Sequence, residues 1–157
     1  MFANIEDTEF TKLVEATDLI TVLIAGADGH IDDQEVEWAT KLADIRSYSY
    51  AEELKEYYSA VGHNFDNRLK ALIQSLPQNT EARNEELSCR LKEINPILLK
   101  LDNSIGAQLY ESYTSFAEHV AKSSGGFLRF ASVSSEEKAL IGLPMIDPIY
   151  LQVDDDV

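Results

Sequence analysis

The chain has 157 residues, 45% of them hydrophobic, which is enough apolar material for one sizeable core and too little for two comfortable domains. With 28 acidic residues against 13 basic ones the net charge is -15, so no basic face is expected that could follow a phosphate backbone, and nucleic acid is not an expected partner. The longest apolar stretch, Leu19 to Ala27, is interrupted by Thr21 and falls far short of the ~20 residues needed to cross a bilayer, so no membrane insertion is expected.

The first element reads as a helix from about residue 6 to 27. Phe10, Leu13, Val14, Thr17, Ile20, Leu23, Ile24 and Ala27 recur at spacings of three and four and mark one face. Gly29 offers it a left-handed stop. Glu6, Asp7 and Glu9 stand where a secretory signal would carry basic residues, which points to a cytoplasmic protein. A second helix is expected from Asp32 to about Ile45, with Val36, Ala39, Leu42 and Ala43 inward and Trp38 and Ile45 widening that face. Its start carries a capping box: Asp32 can accept from the amide of Glu35, Glu35 can reach back to the amide of Asp32, and Ile31 can staple onto Val36.

Ser49 and Glu52 repeat the capping-box spacing ahead of a third helix with Leu54, Tyr57, Tyr58 and Val61 on its apolar side, ending at Gly62. Asn64 or Asp66 opens a fourth, with Leu69, Leu72, Ile73 and Leu76, that Pro77 closes. Thr80 begins a longer fifth helix reaching Leu101, which Asn95-Pro96 should kink or restart. Its Cys89, the single cysteine, reads as a reduced structural thiol in the helical core. Ile105, Leu109, Tyr113, Phe116 and Val120 mark a sixth helix ending near Gly125-Gly126. Ser134 with Glu137 opens a seventh that stops before Pro144. An extended strap or frayed tail follows, ending in Asp154-Asp155-Asp156; only Phe127 to Val133 leaves room for a short extended piece. The predicted fold is all-α: one domain over residues 1–150, a compact bundle of about seven helices, with an acidic tail over 151–157.

The connection from Ala25 to Glu35 is the most distinctive stretch. Asp28, Asp32, Asp33 and Glu35, with His30 among them, crowd around the Gly29 turn, and converging carboxylate oxygens are what a hard divalent cation requires. An EF-hand loop does not fit: counting from Asp28, the sixth position is Asp33 rather than glycine and the twelfth is Ala39 rather than a bidentate glutamate. Capping and turn chemistry account for Asp32, Glu35 and Gly29 without any metal, so both readings stay open. Ala121 to Gly125 and Ser134 to Glu137 line up with Ala25 to Gly29 and Asp32 to Glu35 as a worn second copy, a partial duplication or a coincidence of two capped turns, with Ser124 where Asp28 stands.

The apolar helix running into Ala27-Asp28-Gly29, followed by Ile31, Asp32 and Glu35 at the next helix start, resembles the TerB-like tellurite-resistance family. The resemblance implies a compact bundle of about seven helices and a role in bacterial stress or defence responses. It also implies a divalent-cation or partner site on the acidic face, with Asp28, Asp32 and Glu35 matching its acidic positions. Catalysis is not expected: the chain has no Gly-x-Ser-x-Gly elbow, no phosphate-binding glycine loop and no His-Glu-x-x-His pair, and His30, His63 and His119 lie in no recognised site motif. The expected function is that of an acidic helical binding module with a protein partner. A plain interaction domain without metal is the alternative. For the tyrosines Tyr48, Tyr50, Tyr57 and Tyr58, interface and core packing compete; Tyr48 and Tyr50 are the partner-binding candidates.

Overall fold

The computed structural model describes residues 2–27, 29–123 and 135–152, and within them the chain is helical with no strand. The α-helices are α1 (Asp7–Ala25), α2 (Asp33–Tyr48), α3 (Lys55–Gly62), α4 (Phe65–Ser75), α5 (Thr80–Lys92), the single turn α6 (Asn95–Leu98), α7 (Asn103–Lys122) and α8 (Ser135–Ile141). A short 3-10 turn, Glu52–Leu54, leads into α3.

The bundle is organised around α1. Its apolar surface is wider than the predicted stripe: every residue from Ala16 to Ala25 is buried, as befits a helix packed on several sides by α2, α3, α4, α5, α7 and α8. Burial of Thr17 and Thr21 is made tolerable by their hydroxyls, which donate to the carbonyls of Val14 and Thr17, both at 2.8 Å. Tyr57 of α3 and Tyr113 of α7 both donate to the Leu13 carbonyl of α1, at 2.6 and 2.9 Å, and so tie three helices at one buried point.

Breaks in the chain follow the turn chemistry, with corrections. Asn64 takes the left-handed conformation (φ 56°) before α4, and Leu76 is extended before Pro77, as a residue preceding proline should be. Pro96 restarts the helix: α5 ends at Lys92, and the proline occupies the first turn of α6, where its missing amide costs nothing. Asn79, one residue ahead of the predicted start, caps α5 by accepting from Ala82 N at 2.9 Å. Ser49 does not cap α3; α2 runs on to Tyr48 and the Ser49 amide closes it onto the Ile45 carbonyl at 2.8 Å. The Phe127 to Val133 stretch and most of the proposed second copy of the acidic loop, including Ser124 and Ser134, lie outside the described residues.

The segment after α8 is a strap as far as Gln152. Leu143 and Ile146 are buried, and two asparagines hold its backbone. Asn95 donates to Met145 O at 3.0 Å and accepts from Asp147 N at 2.9 Å. Asn103 does the same with Tyr150 O at 3.0 Å and Gln152 N at 2.7 Å. Each amide thus pairs with two residues that are two apart, as a neighbouring strand would.

Candidate functional site

In the acidic connection the backbone turns earlier than the glycine predicted. α1 ends at Ala25, Gly26 N closes on Val22 O at 2.9 Å, and Gly29, at φ 109°, belongs to the turn beyond the helix. Asp32 caps α2 as expected, its carboxylate accepting from Gln34 N at 2.9 Å and Glu35 N at 3.1 Å. The return arm of the capping box does not form: the Asp32 amide donates to Ala25 O at 3.0 Å instead, and Glu35 is buried. Asp33 and His30 are exposed, and Asp28 lies outside the described residues. Among the described residues the acids of the connection differ in role: Asp32 caps, Glu35 is buried and Asp33 faces solvent. Among the described residues no group of three or more His, Cys, Asp or Glu is placed to hold a metal ion.

Positive charge reaches this loop from within the protein. Arg83 of α5, itself buried, donates from Nη2 to Gly26 O at 2.6 Å and lies 3.5 Å from Gly29 O. It serves as a distant C-cap for α1, where the helix dipole is negative. This contact explains Gly26: a Cβ there would stand 2.7 Å from Arg83 Nη2 and 3.0 Å from Ile31 Cγ1. Gly26 is favoured by the close approach of Arg83, and Gly29 by its positive φ.

On the far side of α2 the packing departs from the sequence reading. Trp38 and Ile45 do not widen the buried face; they are 38% and 39% exposed. The tyrosine cluster divides. Tyr57 and Tyr58 are fully buried, whereas Tyr48 is 71% and Tyr50 40% exposed at the end of the same helix. Trp38 and Ile45, seven residues apart, lie within about 20° of each other around the helix. Glu37 and Asp44, also seven apart and exposed, form a second, acidic row beside them. Lys41, paired with Glu37 at 3.7 Å, is the basic residue between the rows.

Beneath Tyr50 lies Arg46, buried and held by neutral acceptors: Tyr58 Oη at 2.9 Å, Ser112 O at 3.0 Å and Ser115 Oγ at 2.8 Å. Its guanidinium carbon is 4.5 Å from the Tyr50 ring centre and 5.3 and 5.4 Å from those of Tyr58 and Phe116, an aromatic setting that suits a weakly hydrated cation. Tyr50 is therefore anchored, while Tyr48 projects into solvent. Burial pushes the Tyr58 hydroxyl up to about 12, an effect that the nearby Arg46 opposes.

Across the bundle, a groove of about 390 Å³ opens between α1, α4 and α5, lined by Lys12, Glu15, Asp18, Arg68, Arg90 and Glu93 over Leu19, Leu72 and Ile94. At its floor Asp18 accepts a two-point bond from Arg68, at 3.0 and 3.1 Å. Arg68 also donates to Val61 O at 2.8 Å and to His63 O, so it closes the C-terminal end of α3 as well. Burial raises the Asp18 carboxyl to about 6, outweighing the hydrogen bond and charge of Arg68 that pull it down.

Sequence reasoning missed Asp18, Arg46 and Arg83. All three share one signal, a charged residue in register with an apolar helix face: Arg83 precedes Leu87 and Leu91 at spacings of four, and Arg46 follows Ala39, Leu42 and Ala43. Cys89 is the reverse case. It falls between Leu87 and Leu91, on the opposite side of α5, and is exposed rather than in the core. No family model, curated protein or solved structure matches the chain.

Proposed function

We propose that the chain is a non-catalytic, acidic helical binding module that engages a protein partner in the cytoplasm, in keeping with its resemblance to tellurite-resistance and bacterial stress-response proteins. The observation that carries this reading is the exposure of Trp38, Ile45 and Tyr48 along α2, with Tyr50 part-exposed over Arg46 just past its end. Large apolar and aromatic side chains gathered in this way are typical of interaction surfaces, whereas scattered single ones are not. Affinity capture from native lysate tests it. The wild-type chain should retain a partner that the Ile45→Asp/Tyr48→Ser variant, with an unchanged melting curve, releases. Equal capture by both proteins would remove the α2 face from the function.

A divalent cation at Asp28, Asp32, Asp33 and Glu35 is the second reading; it is supported by the four carboxylates that the sequence places in this one connection, and it competes with Arg83, which already supplies a positive charge to the Gly26 carbonyl. Because Asp32 is engaged as a cap and Glu35 is buried, Asp28 and Asp33 would have to supply most of the ligation. A cation that binds only the folded chain raises the melting temperature in a saturable way. Calcium, magnesium, manganese and zinc at about 1 mM, the range of weak oxygen-ligand sites, are the probes. Unchanged curves with all four, together with capture indifferent to chelator, would eliminate the cation and leave the plain interaction module.

A further inference from the structure

We propose that the outer face of α2 receives an amphipathic helix whose polar side carries lysine or arginine; the inference rests on the binding-module reading and names the chemistry of its partner. The face carries two parallel rows along the helix axis, Trp38 and Ile45 in one, Glu37 and Asp44 in the other, and the exposed Tyr48 closes the acidic row at the last turn. From Trp38 to Ile45 the apolar row runs roughly 10 Å, about two turns of helix, and Tyr48 extends the face by about one turn more. Residues seven apart on one helix lie along its axis, as a helix docked beside it requires, and among the described residues no strand edge is available for pairing with an extended peptide.

Charge decides what lies beside the apolar row. Beyond Glu37 and Asp44, the 3-10 turn adds the exposed Glu52 and Glu53 and the start of α3 adds Glu56 against one lysine, Lys55, and Lys41 is already paired with Glu37. A second copy of this chain would bring acidic rows against acidic rows, each copy carrying a net charge of -15. Anionic lipid meets the same repulsion. A helix with apolar residues at three-four spacing and cations along its flank satisfies both rows at once.

The single tryptophan of the chain is Trp38, so its emission reports occupancy of this face without any label. The probe is a synthetic Leu/Lys amphipathic helix lacking tryptophan, titrated into the full chain. It should shift Trp38 emission to the blue in a saturable way, with affinity falling roughly tenfold as salt rises from about 50 to about 500 mM. Glu37→Lys/Asp44→Lys should weaken binding by a similar factor, and Ile45→Asp should abolish the shift, both with unchanged helical circular dichroism. A Leu/Glu peptide of the same pattern should leave the emission unchanged. An unresponsive Trp38, or equal binding of a scrambled Leu/Lys sequence, would overturn the proposal. So would a blue shift on concentrating the protein alone, which would assign the face to a second copy. If the peptide fails while lysate capture still depends on Ile45 and Tyr48, the partner class is wrong and the binding module stands; if both fail, both readings fall.

Discussion

At the scale of single residues, charge and burial conflict most sharply at Asp18. Its carboxyl is raised to about 6 from an ordinary 3.8, so between those values the folded chain holds a proton that the unfolded chain has released. Asp18 therefore makes folding less favourable as pH rises through that window, and its ionised form is a cost at neutral pH that Arg68 only partly offsets. Asp18→Asn should gain stability relative to wild type on going from pH 4 to pH 7, with a pH-dependent part on the order of 2 kcal/mol. Paired urea denaturation curves measure it, and a difference independent of pH would contradict the assignment. Cys89 makes a simpler statement. Lying on the outer side of α5, it should react with a thiol reagent in the native chain at nearly the rate seen in denaturant, where a core thiol would be protected.

Helix ends set the energetics one scale up. Asp32 and Asp33 are adjacent acids with unequal roles: Asp32 accepts two amides at the start of α2, whereas Asp33 is exposed in its first turn. Asp32→Ala should lose about 1 kcal/mol, and Asp33→Ala only a few tenths from the helix dipole, in thermal or urea melts without metal. Arg83 holds the other side of the same connection from fifty-seven positions away in sequence. Arg83→Met preserves the buried stem but leaves the carbonyl of Gly26 without its charged donor. A loss of about 2–3 kcal/mol is expected, with faster amide exchange confined first to the end of α1 and the turn to Asp32. A Cβ at 26 would have to displace the end of the Arg83 side chain, so Gly26→Ala should act mainly by weakening the Arg83 bond to the Gly26 carbonyl.

For the whole molecule, closure depends on the strap. Asn95 and Asn103 stand at the starts of α6 and α7 and grip backbone groups around residue 146 and at 150–152, while Leu143 and Ile146 fill the core beneath. Asn95→Ala/Asn103→Ala should free the strap before the bundle itself melts. Limited proteolysis after Ile141 should become rapid while far-UV circular dichroism stays helical, and cleavage no faster than wild type would show that burial of Leu143 and Ile146 suffices alone.

The sequence by itself determined the helices and most of their breaks. The three-four spacing of apolar residues, Pro77, Pro96, Asn64 and the Asp32 cap act within a turn or two of their own position, and short-range chemistry is legible without knowing what lies opposite. It could also mark the acidic connection and the Tyr48–Tyr50 region as unusual, though not how either is used. Tertiary structure alone decided which flank of α2 stays outside and that α1 is surrounded. It also decided where Asp18, Arg46 and Arg83 find their partners, because those contacts join residues between twelve and sixty-nine positions apart. A local pattern tells which side of a helix is apolar; only the packed neighbours tell how far burial extends around it and which charges can be carried inside.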